Sequence, residues 1–130
     1  MDSPKKHRCS YMLQSDFERL EEWCRNVRQL FHNQPYFVSS AAGRSDFRDV
    51  DIRLIVRDEE FDSQWNDIVK VRLMNRAISI WGQQETGLPI DFQIQRMTEA
   101  NVEFGDRPRN AMGSRRWESI PTSGVPKPTG

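Results

Sequence analysis

The sequence predicts one small α/β (α+β) domain, in which a small mixed sheet has helices packed on one face. Three observations support this prediction. Strand-like and helix-like patterns alternate along the chain, strand-like runs carry an apolar residue at every second position, and helix-like runs carry apolar residues three and four positions apart. A length of 130 residues is enough for a single core.

The first helix-like run is predicted over residues 16–32. Ser15 and Glu18 have the spacing of a capping box at its start. Its apolar residues recur at helical spacing, and Pro35 follows the end of the run. A short strand is then predicted over residues 36–38.

A second strand, over about residues 49–57, contains two aspartates. The long apolar stripe after it predicts a second helix, with Asp62 or Ser63 as its N-cap. Gly82 or Gly87 is expected to end that helix. Two further elements complete the predicted domain, a strand over residues 90–96 and a short helix over residues 98–104.

The domain is predicted to occupy residues 13–106, between a flexible N-terminal arm of residues 1–12 and a tail of residues 107–130. The tail is Arg-rich and then rich in Pro, Gly and Ser, a composition that predicts disorder. Lys plus Arg number 19, as do Asp plus Glu, so a net charge of zero gives no general attraction to nucleic acid or to a membrane surface.

Cysteine usage and hydropathy predict an intracellular, cytoplasmic protein. Cys9 and Cys24 are not at a metal-ligand spacing, and Cys24 falls in a helical pattern as a small buried residue. No apolar run is long enough to span a membrane, and the N-terminus lacks the apolar stretch of a secretory signal. A small domain with a disordered tail is also compatible with a phage or mobile-element protein.

Three aspartates on two predicted strands form the main candidate site. Asp49 and Asp51 lie two positions apart and so point to the same face of their strand, while the apolar residues that alternate with them point to the other face. Asp91 occurs in the same alternation on a later strand. Neighbouring carboxylates repel one another unless a cation lies between them. Mg²⁺ and Mn²⁺ take oxygen ligands and bind phosphates, so the pattern predicts a divalent-metal site.

This arrangement resembles the DNA polymerase β-like nucleotidyltransferase superfamily in its minimal single-domain form. The family motif is a strand ending in Gly-Ser, a short turn, and a strand that carries Asp-hydrophobic-Asp, with a third carboxylate on a later strand. The matching segments in this chain are Val38-Ser39-Ser40, Asp49-Val50-Asp51-Ile52 and Ile90-Asp91-Phe92. The resemblance covers about residues 16–104.

The resemblance implies transfer of a nucleoside monophosphate from a nucleoside triphosphate (NTP) to an unidentified hydroxyl on a protein, an RNA or a small molecule. It implies that Asp49 and Asp51 hold two Mg²⁺ (or Mn²⁺) ions on the triphosphate, and that Asp91 joins the ion that activates the hydroxyl. Ser39, Ser40 and nearby backbone N–H groups would hold the phosphates. The triphosphate or the acceptor could also contact three arginines, Arg44, Arg48 and Arg53.

Two departures from the family motif keep other functions open. Ser39 stands where the family has glycine, which adds a Cβ at the phosphate turn. The chain has no room for the extra domain of larger members, so a protein partner or a homodimer would complete the site. The alternatives are a catalytically degenerate module that binds nucleotide or nucleic acid, and a protein-interaction module on the same fold.

Individual residues also have simpler interpretations. The three aspartates could be solvated carboxylates on an exposed sheet face. Arg53 shares their face and could equally be an ion-pair partner that holds them when no metal is present. The stretch from Arg107 to Trp117 has four arginines and a tryptophan, so it could contact RNA or DNA, or it could be a solvated tail.

Overall fold

Four helices and four strands follow one another in the part of the chain that the structure, a computed structural model, describes, namely residues 12–38 and 49–113. Their bounds are α1 (Gln14–Phe31), β1 (Pro35–Val38), β2 (Val50–Val56), α2 (Asp58–Gln64), α3 (Ile68–Thr86), β3 (Ile90–Arg96), α4 (Met97–Phe104) and β4 (Arg109–Ala111). The predicted fold class, a small mixed sheet with helices packed against it, is confirmed.

The strands form one mixed sheet in the order β3-β2-β1-β4. β2 and β3 run parallel, with Asp51 opposite Asp91, and the crossover between them contains α2 and α3. β1 pairs antiparallel with β2 on one side and with β4 on the other. Parallel pairing brings the starts of β2 and β3 to the same edge of the sheet, which is where the predicted aspartates occur.

The two long helices pack on one face of the sheet and bury the main core. The alternation of side chains along β2 sends Val50, Ile52 and Leu54 to this face, where all three are fully buried. On the helix side the largest buried side chain is Trp23 of α1. Its indole ring occupies the space that a side chain at Gly82 of α3 would need, since a Cβ built there would lie 2.7 Å from the ring. The missing side chain at Gly82 therefore lets α1 and α3 approach closely.

The start of α1 differs from the prediction. Its N-cap is Leu13 and no side chain caps it, so the capping box predicted from Ser15 and Glu18 is wrong. Met12 is buried in the core, and the Leu13 carbonyl already accepts a hydrogen bond from the Phe17 N–H at 3.0 Å. Burial of the preceding residue therefore starts the helix earlier than the local sequence indicates.

The second predicted helix is divided into α2 and α3, and the N-caps predicted at Asp62 or Ser63 are wrong. The N-cap of α3 is Asp67, whose carboxylate accepts hydrogen bonds from two backbone N–H groups of the first turn, at 3.0 and 3.3 Å. The division occurs at Trp65, whose side chain is buried in the main core. Packing of this indole sets the break, which the continuous apolar stripe does not reveal.

Of the two glycines predicted to end the long helix, Gly87 does so. It follows α3 with a φ of 75°, in the left-handed region that favours glycine, and its N–H donates to the Gln83 carbonyl. Gly82 lies inside the helix, where its lack of a side chain serves the contact with Trp23.

The short helix α4 covers part of the opposite face of the sheet. Ala100 and Phe104 are buried against Val38 of β1 and Ile55 of β2. The aspartates at the start of β2 and β3 lie on this second face, and the Asp91 side chain remains 40% exposed. α1 and α3 therefore build the core, whereas the second face keeps an accessible polar edge.

Residues with regular structure extend beyond residue 106, where the sequence predicts the domain to end. β4 pairs with β1, and Met112 is fully buried, with its N–H donating to the Pro35 carbonyl at 3.0 Å. The prediction of a disordered tail is therefore wrong for residues 107–113. Composition does not reveal this strand because its partner, β1, lies far away in the sequence. The predicted arm, apart from residue 12, and the tail beyond residue 113 lie outside the described residues.

Side chains of α3 form hydrogen bonds with the backbone groups at the outer edge of β3. Three polar residues spaced four apart in α3 bond to backbone groups of alternate residues in β3. The pairs are Asn75 with Ile94, Ser79 with Phe92, and Gln83 with Ile90, at 2.9, 2.8 and 3.0 Å. Four helical residues rise about 6 Å and two strand residues about 6.7 Å, so the contacts stay in step. An edge strand satisfied in this way is a poor template for a further strand.

A polar network joins α2 to the start of α4. The Asp58 carboxylate accepts hydrogen bonds from the Thr98 hydroxyl and from the Thr98 backbone N–H, the latter at 3.0 Å. Arg96 lies 3.5 Å from the same carboxylate and donates to both oxygens of Asp62, at 3.0 and 3.2 Å. The hydrogen bonds from Thr98, and to a smaller extent the charge of Arg96, lower the pKa of Asp58.

This network predicts an acid-sensitive part of the stability. The pKa of Asp58 is lower in the folded chain than the value of about 3.9 expected after unfolding. The ionised Asp58 carboxylate therefore adds to the free energy of unfolding above about pH 4, and this addition is lost as the pH falls through the folded pKa. Asp58→Asn should therefore reduce the loss of unfolding free energy between pH 5 and pH 3, measured by urea denaturation. Glu59→Gln, a neighbouring exposed position, is the control. Equal pH dependence in wild type and Asp58→Asn would contradict the assignment.

Two smaller predictions concern the burial of Cys24 and the absence of a membrane-spanning helix. Cys24 is a free and fully buried thiol, as predicted. Burial raises its pKa, with a further contribution from the charge of Glu21, so the thiol is unreactive at neutral pH. None of the helices in residues 12–38 and 49–113 has the length and apolar character needed to cross a membrane.

Candidate metal centre

The three predicted aspartates lie at the edge where the parallel strands β2 and β3 begin. Asp49 directly precedes β2, and Asp51 and Asp91 are partners across the two strands. The register of β1 with β2 brings Val38, where β1 ends, to the same edge. The chain therefore enters and leaves segment 39–48 beside the aspartates.

One carboxylate oxygen from each of Asp49, Asp51 and Asp91 lies within 4.8 Å of the others. We call these residues the carboxylate cluster. The three side chains differ in exposure to solvent. The Asp51 side chain is 14% exposed, that of Asp91 is 40% exposed, and Asp49 is an exposed residue. The structure thus brings together the three residues whose spacing predicts a shared face, and leaves the cluster open to solvent on one side.

Arg53 supplies a buried positive charge beside the cluster. Its Nη2 lies 3.6 Å from an oxygen of Asp51 and 3.6 Å from an oxygen of Asp91. Its Nη1 donates to the Asp91 carbonyl at 2.8 Å and to the Ile52 carbonyl at 3.3 Å, and the residue is only 6% exposed. Of the two roles that the sequence leaves open for Arg53, ion pairing with the aspartates is therefore the one observed.

The donor set of the cluster fits Mg²⁺ or Mn²⁺. Carboxylate oxygens are the ligands of these ions, whereas Zn²⁺ is usually bound by nitrogen and sulfur. Two oxygens bound to one Mg²⁺ at about 2.1 Å are at most about 4.2 Å apart. The three oxygens, which lie within 4.8 Å of one another, are close to that range. Arg53 contributes one positive charge beside the three carboxylates.

Comparison of the chain with protein-family profiles, with curated proteins and with solved structures finds no match. The resemblance to nucleotidyltransferases therefore rests on the sequence motif.

A groove between α3 and β3 opens beside the cluster. Its volume is about 480 Å³, and Asp91 and Gln93 line its strand side. Arg72 and Arg76 line its helix side four residues apart, and neither guanidinium has a hydrogen bond or ion pair with any residue that the structure describes. Sequence reasoning missed these arginines, although their spacing on one side of the long helix is a signal that could have identified them.

The other predicted site residues either bond to α4 or lie outside the described residues. Arg107 donates to the Glu103 carbonyl and Arg109 to the Asn101 side chain, so both arginines attach their segment to α4. The predicted phosphate contacts Ser39, Ser40, Arg44 and Arg48 lie outside the described residues. The remainder of the Arg-rich stretch, from residue 114 onward, also lies outside them.

Proposed function

We propose that the protein is a metal-dependent nucleotidyltransferase that transfers a nucleoside monophosphate from an NTP to a hydroxyl acceptor. The observation that supports this most strongly is the carboxylate cluster, in which three aspartates from two strands meet at one open edge of the sheet. Isolated carboxylates at such short distances repel one another, and a divalent ion is the ligand that this donor set suits.

The described aspartates have separate roles in this proposal. Asp49 and Asp51 would hold Mg²⁺ or Mn²⁺, which supplies charge neutralisation of the phosphates when bound. The acceptor oxygen forms a bond to the α-phosphorus, the bond from the α-phosphorus to the bridging oxygen breaks, and pyrophosphate leaves. Asp91 takes the proton of the acceptor hydroxyl, because it belongs to the cluster and also lines the groove through which an acceptor can approach.

Phosphate binding is assigned to segment 39–48, since the described residues that flank it, Val38 and Asp49, lie at the cluster. The residues proposed for it are Ser39, Ser40, Arg44 and Arg48. Arg53 is excluded from this role because its guanidinium is buried and paired with Asp51 and Asp91. A protein partner or a second copy of the chain would complete the acceptor site, and an NTP substrate implies a cytoplasmic setting.

Calorimetric titration of the full chain with ATP, GTP, CTP and UTP, in Mg²⁺ or Mn²⁺ and then in EDTA, tests the proposal. At least one NTP should bind only when the divalent ion is present. The double variant Asp49→Asn/Asp51→Asn should lose that binding. Asp106→Asn, which changes the same chemical group at an exposed position outside the cluster, should leave it unchanged.

Transfer itself is followed with the NTP that binds, labelled at the α-phosphate, by measuring label in protein, RNA and small-molecule fractions. Label that requires Asp51 would establish the reaction and identify the acceptor class. Metal-dependent binding without any transfer would favour the degenerate binding module. If all four NTPs fail to bind, or bind equally to the double variant, the proposal is wrong.

A further inference from the structure

We propose that the groove between α3 and β3 binds a phosphate group of the acceptor through Arg72 and Arg76. The inference rests on the proposed function and narrows its acceptor to a hydroxyl compound that also carries a phosphate, either a phosphorylated sugar or a strand of RNA. It follows from two guanidiniums that line the groove without a partner among the described residues.

Arg72 and Arg76 have no compensating charge on their own helix. The residues three and four positions away from each of them in α3 are apolar, uncharged polar or the other arginine, and none is acidic. Two arginines of α1 differ in this respect, because Arg19 and Arg25 each have an acidic partner three positions earlier. Like charges four residues apart destabilise a helix. A bound anion would remove this repulsion.

The chemistry of the two side chains matches a phosphate group. Four residues of a helix rise about 6 Å, so both guanidiniums can reach one anion from the same wall of the groove. Each guanidinium offers N–H donors in a planar fork, which fits the oxygens of a phosphate in a bidentate arrangement. Two positive charges also balance the charge of about −2 that a phosphate monoester carries at neutral pH.

The groove has the size and lining of a site for a small ligand. Its volume of about 480 Å³ lies within the range of about 300–1,000 Å³ that is typical of ligand sites. Leu73, which is 65% exposed, provides an apolar surface beside the arginines. The Gln93 side chain also lines the groove and has no hydrogen bond with any described residue, so its amide is available to a ligand hydroxyl.

Asp91 connects the groove to the carboxylate cluster, because it belongs to the cluster and also lines the groove. The strand order places β2 between β3 and β1, so the groove at β3 lies on the opposite side of the cluster from Val38, where β1 ends. A phosphate held by the arginines would therefore not compete with the NTP phosphates assigned to segment 39–48. Asp91 is available in the same groove for the hydroxyl of the acceptor.

Titration of the ¹⁵N-labelled full chain in EDTA, followed by nuclear magnetic resonance, tests the inference without metal or activity. The probes are ribose 5-phosphate, the RNA trinucleotide UpUpU, and glutarate, whose two charges are carboxylates. At least one phosphate compound should shift the side-chain Nε–H signals of Arg72 and Arg76. Arg72→Gln/Arg76→Gln should weaken its binding by about tenfold or more. Arg28→Gln/Arg57→Gln removes two charges at exposed positions outside the groove and should leave the affinity unchanged.

The same probes distinguish the two sources of phosphate. Tighter binding of ribose 5-phosphate than of UpUpU would identify a phosphorylated small molecule, and the reverse order would identify RNA. Three results would overturn the inference. They are no binding of either phosphate compound, equal binding to wild type and Arg72→Gln/Arg76→Gln, and binding of glutarate as tight as that of the phosphate compounds.

Calorimetric titration of Arg72→Gln/Arg76→Gln with NTP and Mg²⁺ separates the inference from the proposed function. This variant should bind the NTP as wild type does, because the two arginines are assigned to the acceptor. Loss of NTP binding in the variant would mean that the arginines hold the NTP, which overturns the inference and leaves the proposed function standing. Failure of wild type to bind any NTP would contradict the proposed function, whatever the result of the phosphate titration in EDTA.

Discussion

Gly82→Ala is expected to lower the free energy of unfolding by about 1–3 kcal/mol, although alanine is the better helix former by about 1 kcal/mol. The cost arises from Trp23, because a Cβ at position 82 would lie 2.7 and 2.9 Å from two atoms of its indole ring. That ring is almost completely buried and contacts Trp81 and Phe92 edge-on, with centroids 5.6 and 6.4 Å away. It therefore cannot move aside without disturbing the core. Urea denaturation measures the change.

A double-mutant cycle separates this steric cost from helix propensity. In a Trp23→Phe background the indole atoms nearest Gly82 are absent, so Gly82→Ala should become neutral or stabilising. Ala77→Gly, at an exposed position of the same helix, measures propensity alone and should cost about 1 kcal/mol in both backgrounds. The same cost for Gly82→Ala in both backgrounds would show that close packing of α1 on α3 is not the reason for glycine.

Ser79→Ala is expected to cost about 1–3 kcal/mol of unfolding free energy. The Ser79 hydroxyl oxygen accepts a hydrogen bond from the Phe92 N–H at 2.8 Å, and this is the outward-facing N–H of an edge strand. Alanine at position 79 would leave the Phe92 N–H partly buried without a hydrogen-bond acceptor. Chemical denaturation measures the loss, and size-exclusion chromatography at increasing concentration measures whether the exposed edge recruits a second chain.

Ser63→Ala provides the comparison for Ser79→Ala. The Ser63 hydroxyl is exposed and, among the described residues, bonds to the Glu60 carbonyl one turn earlier, so its removal should change stability by less than about 0.5 kcal/mol. Equal effects of the two serine substitutions would mean that the α3 side chains do not support β3. Because Asp91 lies on β3, such a result would also mean that the hydrogen bonds from α3 do not fix the position of its carboxylate.

Strand alternation carried most of what could be predicted about the site. Asp49 and Asp51 share a face because every second side chain of an extended strand points the same way. That rule needs no knowledge of the rest of the fold, and it also identified Asp91 on β3. The end of α3 at Gly87 was predictable for a similar reason, because a left-handed residue after a helix favours glycine.

Contacts between distant segments could not be predicted in the same way. The break between α2 and α3 follows from burial of Trp65, and the strand pairing of residues 109–111 follows from the open edge of β1. Arg53 illustrates the limit within the site itself. Its place in the strand indicated the correct face, but two roles remained equally consistent with the sequence until its contacts with Asp51 and Asp91 were known.

The sequence by itself determined the periods of the helices and strands, and with them the fold class and the face on which each aspartate lies. The tertiary structure alone decided the order of strands, the burial of Arg53 between two carboxylates, and the close approach of Trp23 to Gly82. The physical reason is the range of the interactions. Periodicity and caps arise from bonds and sterics between residues a few positions apart, whereas burial, ion pairing and packing depend on which distant segments the collapsed chain brings together.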